Sequence, residues 1–342
     1  MKILICALAT FVLAGSAYAQ QKVRINLANA FPNSLTLIGE APGKLSKKLD
    51  RISGGTLELR VNEPGALVPA LQAIQATGQG SVDAAWSNAG FFAGTDSAFN
   101  MFASVPFGPG IPEYLAWVNH GGGLQLSREM FGKHGVYNIP CAIIPPEASG
   151  WFRREIKSVQ DLKGLKMRFF GLGAKAMAKL GVSTQLLAPG DIFQALQLGT
   201  IDATEFSLPV MDQKLGFYQV AKFYYFPGWH QQATFLEFYI NQKKWAEFSD
   251  TQKAIIHAAC DAMTLQQFAE GEAVQFKAMK EIQAKGVQLK TWPQNFLDAF
   301  EKAWVEVAAE QAAKSPEFKK AWDSYSAFRK DYAIWKDMGY LK

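Results

Sequence analysis

Hydrophobic and polar residues alternate along Lys22–Ala30 and again along Thr56–Asn62, a pattern that predicts two β-strands. Between these strands, apolar residues recur at the spacing of an α-helix: Leu35, Ile38, Leu45, Leu49 and Ile52. We expect Ser34 to cap that helix. A helical segment over residues 66–76 and an apolar strand over 82–86 follow. This alternation with short connections predicts an α/β fold whose sheet is largely parallel.

Similar patterns continue along the chain. Residues 99–108 are apolar and contain Pro and Gly near their end, which predicts a strand and a turn. Residues 112–131 have a helical pattern that three consecutive glycines interrupt at 121–123. Further strands are predicted over residues 136–144, 220–226 and 234–241.

One pattern occurs twice, in residues 70–87 and in residues 192–207. Each copy runs from an amphipathic helix through Gly and a small polar residue into Val/Ile-Asp-Ala, and then to an aromatic residue. Two similar α/β lobes explain this repeat, although two amphipathic helices can also resemble each other by chance. Because ligands of open α/β sheets bind beyond the carboxyl ends of the strands, we expect residues 86–88 and 204–206 to face each other across a cleft.

The last third of the chain has the pattern of helices. Ser249 and Gln252 form a capping box before a helix predicted over residues 250–284, which is long enough to span both lobes. Residues 293–342 are also mostly helical in pattern, and they are too aromatic for a solvated tail. Their tryptophans are Trp304, Trp322 and Trp335.

Composition indicates a globular protein, since 49% of the residues are hydrophobic and no low-complexity tract occurs. Residues 1–19 have the charged start, the short apolar core and the small-x-small end of a cleaved signal peptide. Without them the net charge falls from +5 to a mild +4, with dispersed basic residues, which argues against nucleic-acid binding. Cys141 and Cys260 then remain, and whether they pair stays open.

Two charged residues suggest a ligand pocket. Arg168 lies inside a short apolar run, and Glu205 ends the next predicted strand. A cation and an anion at two strand ends are typical of a site for a small charged ligand. The sequence contains no GxSxG or HExxH motif and no Rossmann or P-loop glycine pattern, which argues against a hydrolytic enzyme.

A series of short motifs runs in order along nearly the whole mature chain. They are Phe31-Pro32, Leu67-Val68-Pro69-Ala70, Val105-Pro106-Phe107-Gly108, Gly121-Gly122-Gly123, Gly150-Trp151-Phe152-Arg153, residues 161–168 (DLKGLKMR), residues 199–203 (GTIDA), and residues 216–218 (GFY) through 227–230 (PGWH). With these motifs the chain resembles the solute-binding proteins of TRAP (tripartite ATP-independent periplasmic) transporters. It is most similar to the branch that binds 2-oxo and related monocarboxylic acids.

The resemblance implies a periplasmic binding protein fold with two lobes, a long lobe-spanning helix and a helical C-terminus. Residues 20–146 and about 233–248 are expected to form lobe 1, and residues 147–232 to form lobe 2. Residues 249–342 are expected to form the long helix and the C-terminal helices.

The implied function is the capture of a small monocarboxylate in the periplasm by lobe closure and its delivery to the two membrane permease subunits. The ligand would be a 2-oxo acid such as pyruvate or a 2-hydroxy acid such as lactate. A binding protein that reports to a sensor is the alternative, and a hydrolytic enzyme is a weaker one. Some relatives dimerise through an exchanged C-terminal helix, which the aromatic end of this chain would permit, as it would packing on its own core.

The resemblance also implies site residues. Family members bind the ligand carboxylate with an arginine at the position of Arg168, whose planar guanidinium offers paired donors. The cation-binding pattern of the branch falls on Glu147, Glu205, Phe206 and Gln231, of which only Glu205 has the usual identity.

At this cation site Glu147 stands where Gln is usual, Gln231 where Glu is usual, and Phe206 where Trp is usual. The exchange keeps two carboxylates and one amide, so we expect Na⁺ or Ca²⁺ to bind, with the Phe206 carbonyl as a further ligand. The alternative is that the site is lost and that Glu147 is a solvated loop residue. Glu147 and Phe206 are also expected to contact the substrate, whose other walls are predicted to be Asn88, Trp86, Phe31 and Phe170.

Overall fold

Residues 22–341 of the chain, described by a computed structural model, form two β-sheets flanked by helices. The first sheet contains β1 (Val23–Asn29), β2 (Leu57–Asn62), β3 (Ala84–Ser87), β4 (Val136–Ile144) and β10 (Thr234–Asn241). The second contains β5 (Gly150–Phe152), β6 (Lys166–Arg168), β7 (Ser183–Gln185), β8 (Ala203–Thr204), β9 (Phe223–Phe226) and β11 (Gln288–Thr291). The predicted signal peptide lies outside the described residues.

The helices that cover these sheets are α1 (Ala41–Ile52), α2 (Ala73–Gln79), α3 (Ile111–His120), α4 (Gly123–Gly132), α5 (Gly171–Lys179), α6 (Ile192–Leu198), α7 (Pro209–Leu215), α8 (Gln242–Ala246), α9 (Asp250–Ala284), α10 (Gln294–Lys314) and α11 (Pro316–Gly339). Within residues 22–341, none of them has both the length and the apolar composition needed to cross a membrane.

The strand order is β2-β1-β3-β10-β4 in the first sheet and β11-β9-β5-β8-β6-β7 in the second. β1 pairs in parallel with β2 and β3, and β6 pairs in parallel with β7 and β8, as the strand–helix alternation predicts. β10 and β5 run antiparallel to their neighbours, so both sheets are mixed. The chain passes between the sheets after β4, after β9 and again before β11.

Two local predictions need correction, and one element was not predicted. Ser97–Phe102 is a 3₁₀ helix and not a strand; the Asp96 side chain accepts from the Ala98 backbone N–H at 2.8 Å, and a fully buried turn is as apolar as a strand. The first helix begins at Ala41 and not after Ser34. Backbone N–H groups between these two positions donate to the Leu35 carbonyl, so the chain makes turns there. Strand β11 lies between the two predicted helical stretches, at residues for which the sequence pattern predicts no element.

The repeated sequence pattern adopts the same local structure in both sheets. Helices α2 and α6 each end at a glycine in the left-handed conformation, Gly80 and Gly199. Only glycine adopts this conformation without strain. The aspartate that follows each helix then bonds the neighbouring parallel strand. Asp83 Oδ2 accepts from Asn26 N at 2.8 Å, and Asp202 Oδ2 accepts from Lys166 N at 3.0 Å. Each unit therefore fixes where its central strand begins.

The 35-residue helix α9 connects the two sheets. On one side it packs on β4 and α1, where Lys44 Nζ lies 2.7 Å from Glu270 Oε1. Further along it packs on α7, where Val210 N donates to Gln275 Oε1 at 3.1 Å. Cys141 of β4 and Cys260 of α9 form a disulfide, which resolves the pairing that the sequence left open.

Replacing both cysteines with serine should lower the free energy of unfolding by about 2–5 kcal/mol, because the bond closes a loop that spans 119 residues. Urea denaturation of the oxidised protein and of the double variant measures this loss. Reductant should destabilise the wild-type protein and leave the variant unchanged. An unfolding midpoint that does not respond to reductant would contradict a stabilising role for the bond.

Candidate binding site

A buried ion pair joins the ends of two parallel strands of the second sheet. Arg168, the last residue of β6, donates from Nη1 to the Glu205 carboxylate Oε1 at 2.6 Å and to the Glu205 carbonyl at 2.8 Å. The Phe170 backbone N–H donates to the same Oε1, also at 2.6 Å. Arg168 is 1% exposed and Glu205 is fully buried. Arg168 Nε and Glu205 Oε2 have no hydrogen-bond partner among the described residues.

A second carboxylate, Glu147, is buried beside this pair. Its Oε1 accepts from Ser207 Oγ at 3.1 Å, and its Oε2 accepts from Gln231 Nε2. Burial raises the pKa of Glu147 well above its usual range, and the nearby Glu205 carboxylate raises it further. Glu147 is thus not the solvated loop residue of the alternative interpretation. A neighbouring positive charge would stabilise the ionised form of this carboxylate.

Asp212 supports this cluster from the side of α7. Its carboxylate accepts from Trp151 Nε1 and Tyr224 OH, both at 2.8 Å, and from the Ser207 backbone N–H at 3.1 Å. Burial raises the pKa of Asp212 to about 7. Asp212 holds Ser207 in place, and Ser207 in turn holds Glu147.

Two neighbours in the turn before β10 differ in their bonding. Gln231 Oε1 accepts from Ser104 Oγ at 2.8 Å and from Thr234 Oγ1 at 3.4 Å, so both ends of this amide are engaged. His230 is 2% exposed, and neither ring nitrogen has a hydrogen-bond partner among the described residues. His230 Nε2 lies 3.5 Å from Glu205 Oε2. One ligand-type atom from each of Glu147, Glu205 and His230 lies within 4.8 Å of the other two.

Glu147, Arg168 and Gln231 face a small cavity between the sheets, of about 30 Å³, which is the space of roughly one water molecule. A larger molecule enters only when the walls move apart. Of the predicted site residues, all but Trp86 and Glu205 line the cavity: Phe31, Asn88, Glu147, Arg168, Phe170, Phe206 and Gln231. Trp86 packs in the core beneath, where its Nε1 donates to the carbonyl of Ile38, a lining residue.

Aromatic rings close the cavity across the cleft. The Phe91 ring lies 5.8 Å from the Phe31 ring and makes an edge-on contact with Phe170, centroid to centroid 5.4 Å. The tip of the Phe170 ring rests on Gly90. A Cβ at position 90 would lie 2.2 Å from Phe170 Cζ, which requires one of them to move. This packing of Phe170 therefore depends on the absence of a side chain at position 90.

Sequence reasoning missed His230, Ser207 and Phe91 as parts of the site. The signal for His230 was its position directly before Gln231 in the Pro-Gly-Trp-His motif. Ser207 follows the predicted Phe206, and Phe91 follows Asn88 by three residues. Only the folded chain shows that Ser207 and Phe91 line the cavity and that His230 lies beside Glu205.

Residues 28–315 match the family model of bacterial extracellular solute-binding proteins, family 7 (DctP). The monocarboxylate 2-oxoacid-binding periplasmic protein of Nostoc sp. (strain PCC 7120) is 33% identical over 320 residues, which cover 93% of this chain and 87% of that protein.

Two solved structures are closely similar. A TRAP transporter solute-binding protein from Bordetella bronchiseptica RB50, described as a dimer with calcium and picolinate bound in one site, has a TM-score of 0.90 and 34% identity. The match covers 92% of this chain and 94% of that one. A TRAP periplasmic solute-binding protein from Pseudoalteromonas atlantica T6c with bound sodium and pyruvate has a TM-score of 0.88 and 30% identity, over 92% and 96% of the two chains.

Gly90→Ala should hold the walls of the cavity apart, because the added methyl group occupies the position of the Phe170 ring tip. We expect a loss of about 1–3 kcal/mol in the free energy of unfolding and a larger radius of gyration. Urea denaturation and small-angle X-ray scattering measure these two effects.

The Phe170→Ala background provides the control for this contact. There, Gly90→Ala should add less than about 0.5 kcal/mol, since the clashing ring is gone. Equal destabilisation in both backgrounds would show that position 90 acts through some other contact.

Proposed function

Because the chain belongs to the bacterial extracellular solute-binding proteins of family 7, we propose that its cavity captures a small 2-oxo monocarboxylate such as pyruvate. The monocarboxylate 2-oxoacid-binding protein of Nostoc and the pyruvate-bound structure support this choice of ligand. A 2-hydroxy acid such as lactate has the same carboxylate and a similar size.

The observation that carries the proposal is the buried guanidinium of Arg168 at the cavity. Nη1 is bound to Glu205, while Nε has no partner among the described residues. A buried donor without a partner is costly, and a ligand carboxylate would satisfy it with a charge-assisted hydrogen bond. The surrounding Phe31, Phe91 and Phe170 rings favour a ligand with little further polarity.

A cation fits the same site. Glu147 and Glu205 place two buried carboxylates near one guanidinium, and Glu205 Oε2 has no hydrogen-bond partner among residues 22–341. We propose that these two side chains hold Na⁺ or Ca²⁺, with the Phe206 carbonyl and Gln231 as the further ligands that the family pattern implies. The cation would bridge the protein carboxylates and the ligand carboxylate, which otherwise repel each other.

We infer that lobe closure retains the ligand and that the closed protein delivers it to TRAP membrane permease subunits. Such a role requires export through the signal peptide predicted at residues 1–19. Delivery to a sensor is the alternative partner, and the site is equally compatible with it. We favour binding over catalysis, because the family to which the chain belongs is one of solute-binding proteins.

The end of α11 is exposed and apolar, and it remains the predicted surface for a homodimer. Its most exposed apolar side chains are Ile334 at 71% and Met338 at 84%. The calcium- and picolinate-bound relative is described as a dimer. The earlier tryptophans Trp304 and Trp322 instead pack on each other, with ring centroids 5.6 Å apart.

Removing cations should weaken ligand binding, because the paired carboxylates then repel the ligand carboxylate. After chelator treatment and desalting, the dissociation constant for pyruvate, measured by calorimetry, should rise by at least about tenfold, equivalent to 1.4 kcal/mol. Added Ca²⁺ or Na⁺ should restore it. An affinity that is the same with and without cations would refute the cation.

Arg168→Met should abolish detectable pyruvate binding, because the carboxylate loses its charged donors. The variant also leaves Glu205 without its buried partner, which costs about 3–5 kcal/mol of stability. Circular dichroism and the melting temperature must therefore show that the variant is folded. Arg168→Lys is the matched control: it keeps the charge, loses the planar fork, and should bind weakly. Wild-type affinity in a folded Arg168→Met variant would overturn the assignment.

A further inference from the structure

We propose that Phe91 determines the size of the ligand that this cavity selects. Its ring limits the carbon chain beyond the keto group, so that the methyl group of pyruvate is favoured over longer or branched chains. The inference rests on the proposed function, because it concerns the same cavity and the same class of 2-oxo monocarboxylates. The sequence motifs do not include this position, and only its place in the folded chain indicates the role.

The first argument is the exposure of the ring. Phe91 is partly exposed, whereas every other residue that lines the cavity is buried. The apolar walls Ile144 and Leu236, for example, are 2% and 1% exposed and pack in the hydrophobic core. Because protein interiors are close-packed, such walls cannot move outward without displacing their neighbours. Phe91 has solvent on its far side, so it forms the outer wall of the cavity.

The second argument is what holds the ring in place. Phe91 lies in a 3₁₀ turn directly after β3, and the Asn88 side chain caps this turn by accepting from the Gly90 N–H at 2.8 Å. The backbone that carries the ring is therefore fixed. The ring itself contacts Phe31, which follows β1 of the first sheet, and Phe170, which follows β6 of the second. It thus closes the cavity only where the two sheets meet.

The third argument is the lack of spare room. The cavity of about 30 Å³ must widen to admit even a small acid. If Arg168 and the cation hold the carboxylate, the carbon chain of the ligand faces the apolar walls. An apolar pocket distinguishes ligands by about 10–200-fold for each methylene group. 4-Methyl-2-oxopentanoate has an isobutyl group in place of the methyl group of pyruvate, and this group requires the space that the Phe91 ring fills. Without the ring it can extend toward solvent.

The test compares the wild-type protein with Phe91→Ala, Phe91→Leu and the matched control Phe193→Ala. Phe193 of α6 is also a partly exposed phenylalanine, but it is not among the residues that line this cavity. Calorimetry in saturating Ca²⁺, and separately in saturating Na⁺, measures the dissociation constants of each protein for pyruvate and for 4-methyl-2-oxopentanoate. Melting temperatures show whether each variant is folded.

We expect the wild-type protein to bind pyruvate more tightly than the larger acid. The ratio of the two dissociation constants should fall by at least about tenfold in Phe91→Ala, by less in Phe91→Leu, and not in Phe193→Ala. An unchanged ratio in Phe91→Ala, or in Phe91→Leu where the alanine variant does not fold, would rule out the size limit. So would a wild-type preference for the larger acid. If the wild-type protein binds neither acid with either cation, the proposed function fails instead.

Discussion

The site depends on the buried ion pair between Arg168 and Glu205. Both side chains are withdrawn from water, where an isolated charge would be strongly disfavoured, so each requires the other. Both side chains also form hydrogen bonds with the backbone: Arg168 donates to the Glu205 carbonyl, and the Glu205 carboxylate accepts from the Phe170 N–H. It thereby fixes the ends of β6 and β8 and the start of α5 in one arrangement.

One guanidinium does not balance the carboxylates around it. Glu147 is pushed toward its neutral form by burial and by Glu205, and Asp212 has a pKa of about 7 even with three hydrogen-bond donors. The cluster therefore favours additional positive charge. A cation would meet that demand and would allow a ligand carboxylate to approach Arg168. The ligand and the metal would then be bound by one electrostatic arrangement and not by two separate sites.

The fold places this cluster where two similar α/β units meet. In each unit a left-handed glycine ends a helix and an aspartate anchors the adjacent parallel strand, so Asn88 and Glu205 both emerge just beyond a strand end. The cavity lies between those ends, which is where open α/β sheets bind ligands. The Phe31, Phe91 and Phe170 rings cover it, while α9 and the Cys141–Cys260 disulfide connect the surrounding elements.

The sequence alone predicted the α/β alternation and the repeat, because local periodicity determines them. It also predicted strands such as Val136–Ile144 and Thr234–Asn241 and the capped helix Asp250–Ala284. Arg168, Glu205 and Glu147 could be proposed from motif positions. Tertiary structure alone decided that Ser97–Phe102 turns instead of extending, that Trp86 faces the core, and that Cys141 meets Cys260. It also decided that both ends of the Gln231 amide are hydrogen-bonded, whereas neither ring nitrogen of His230 has a hydrogen-bond partner among residues 22–341. Such outcomes depend on which side chains approach one another from distant parts of the chain, and no local pattern encodes those distances.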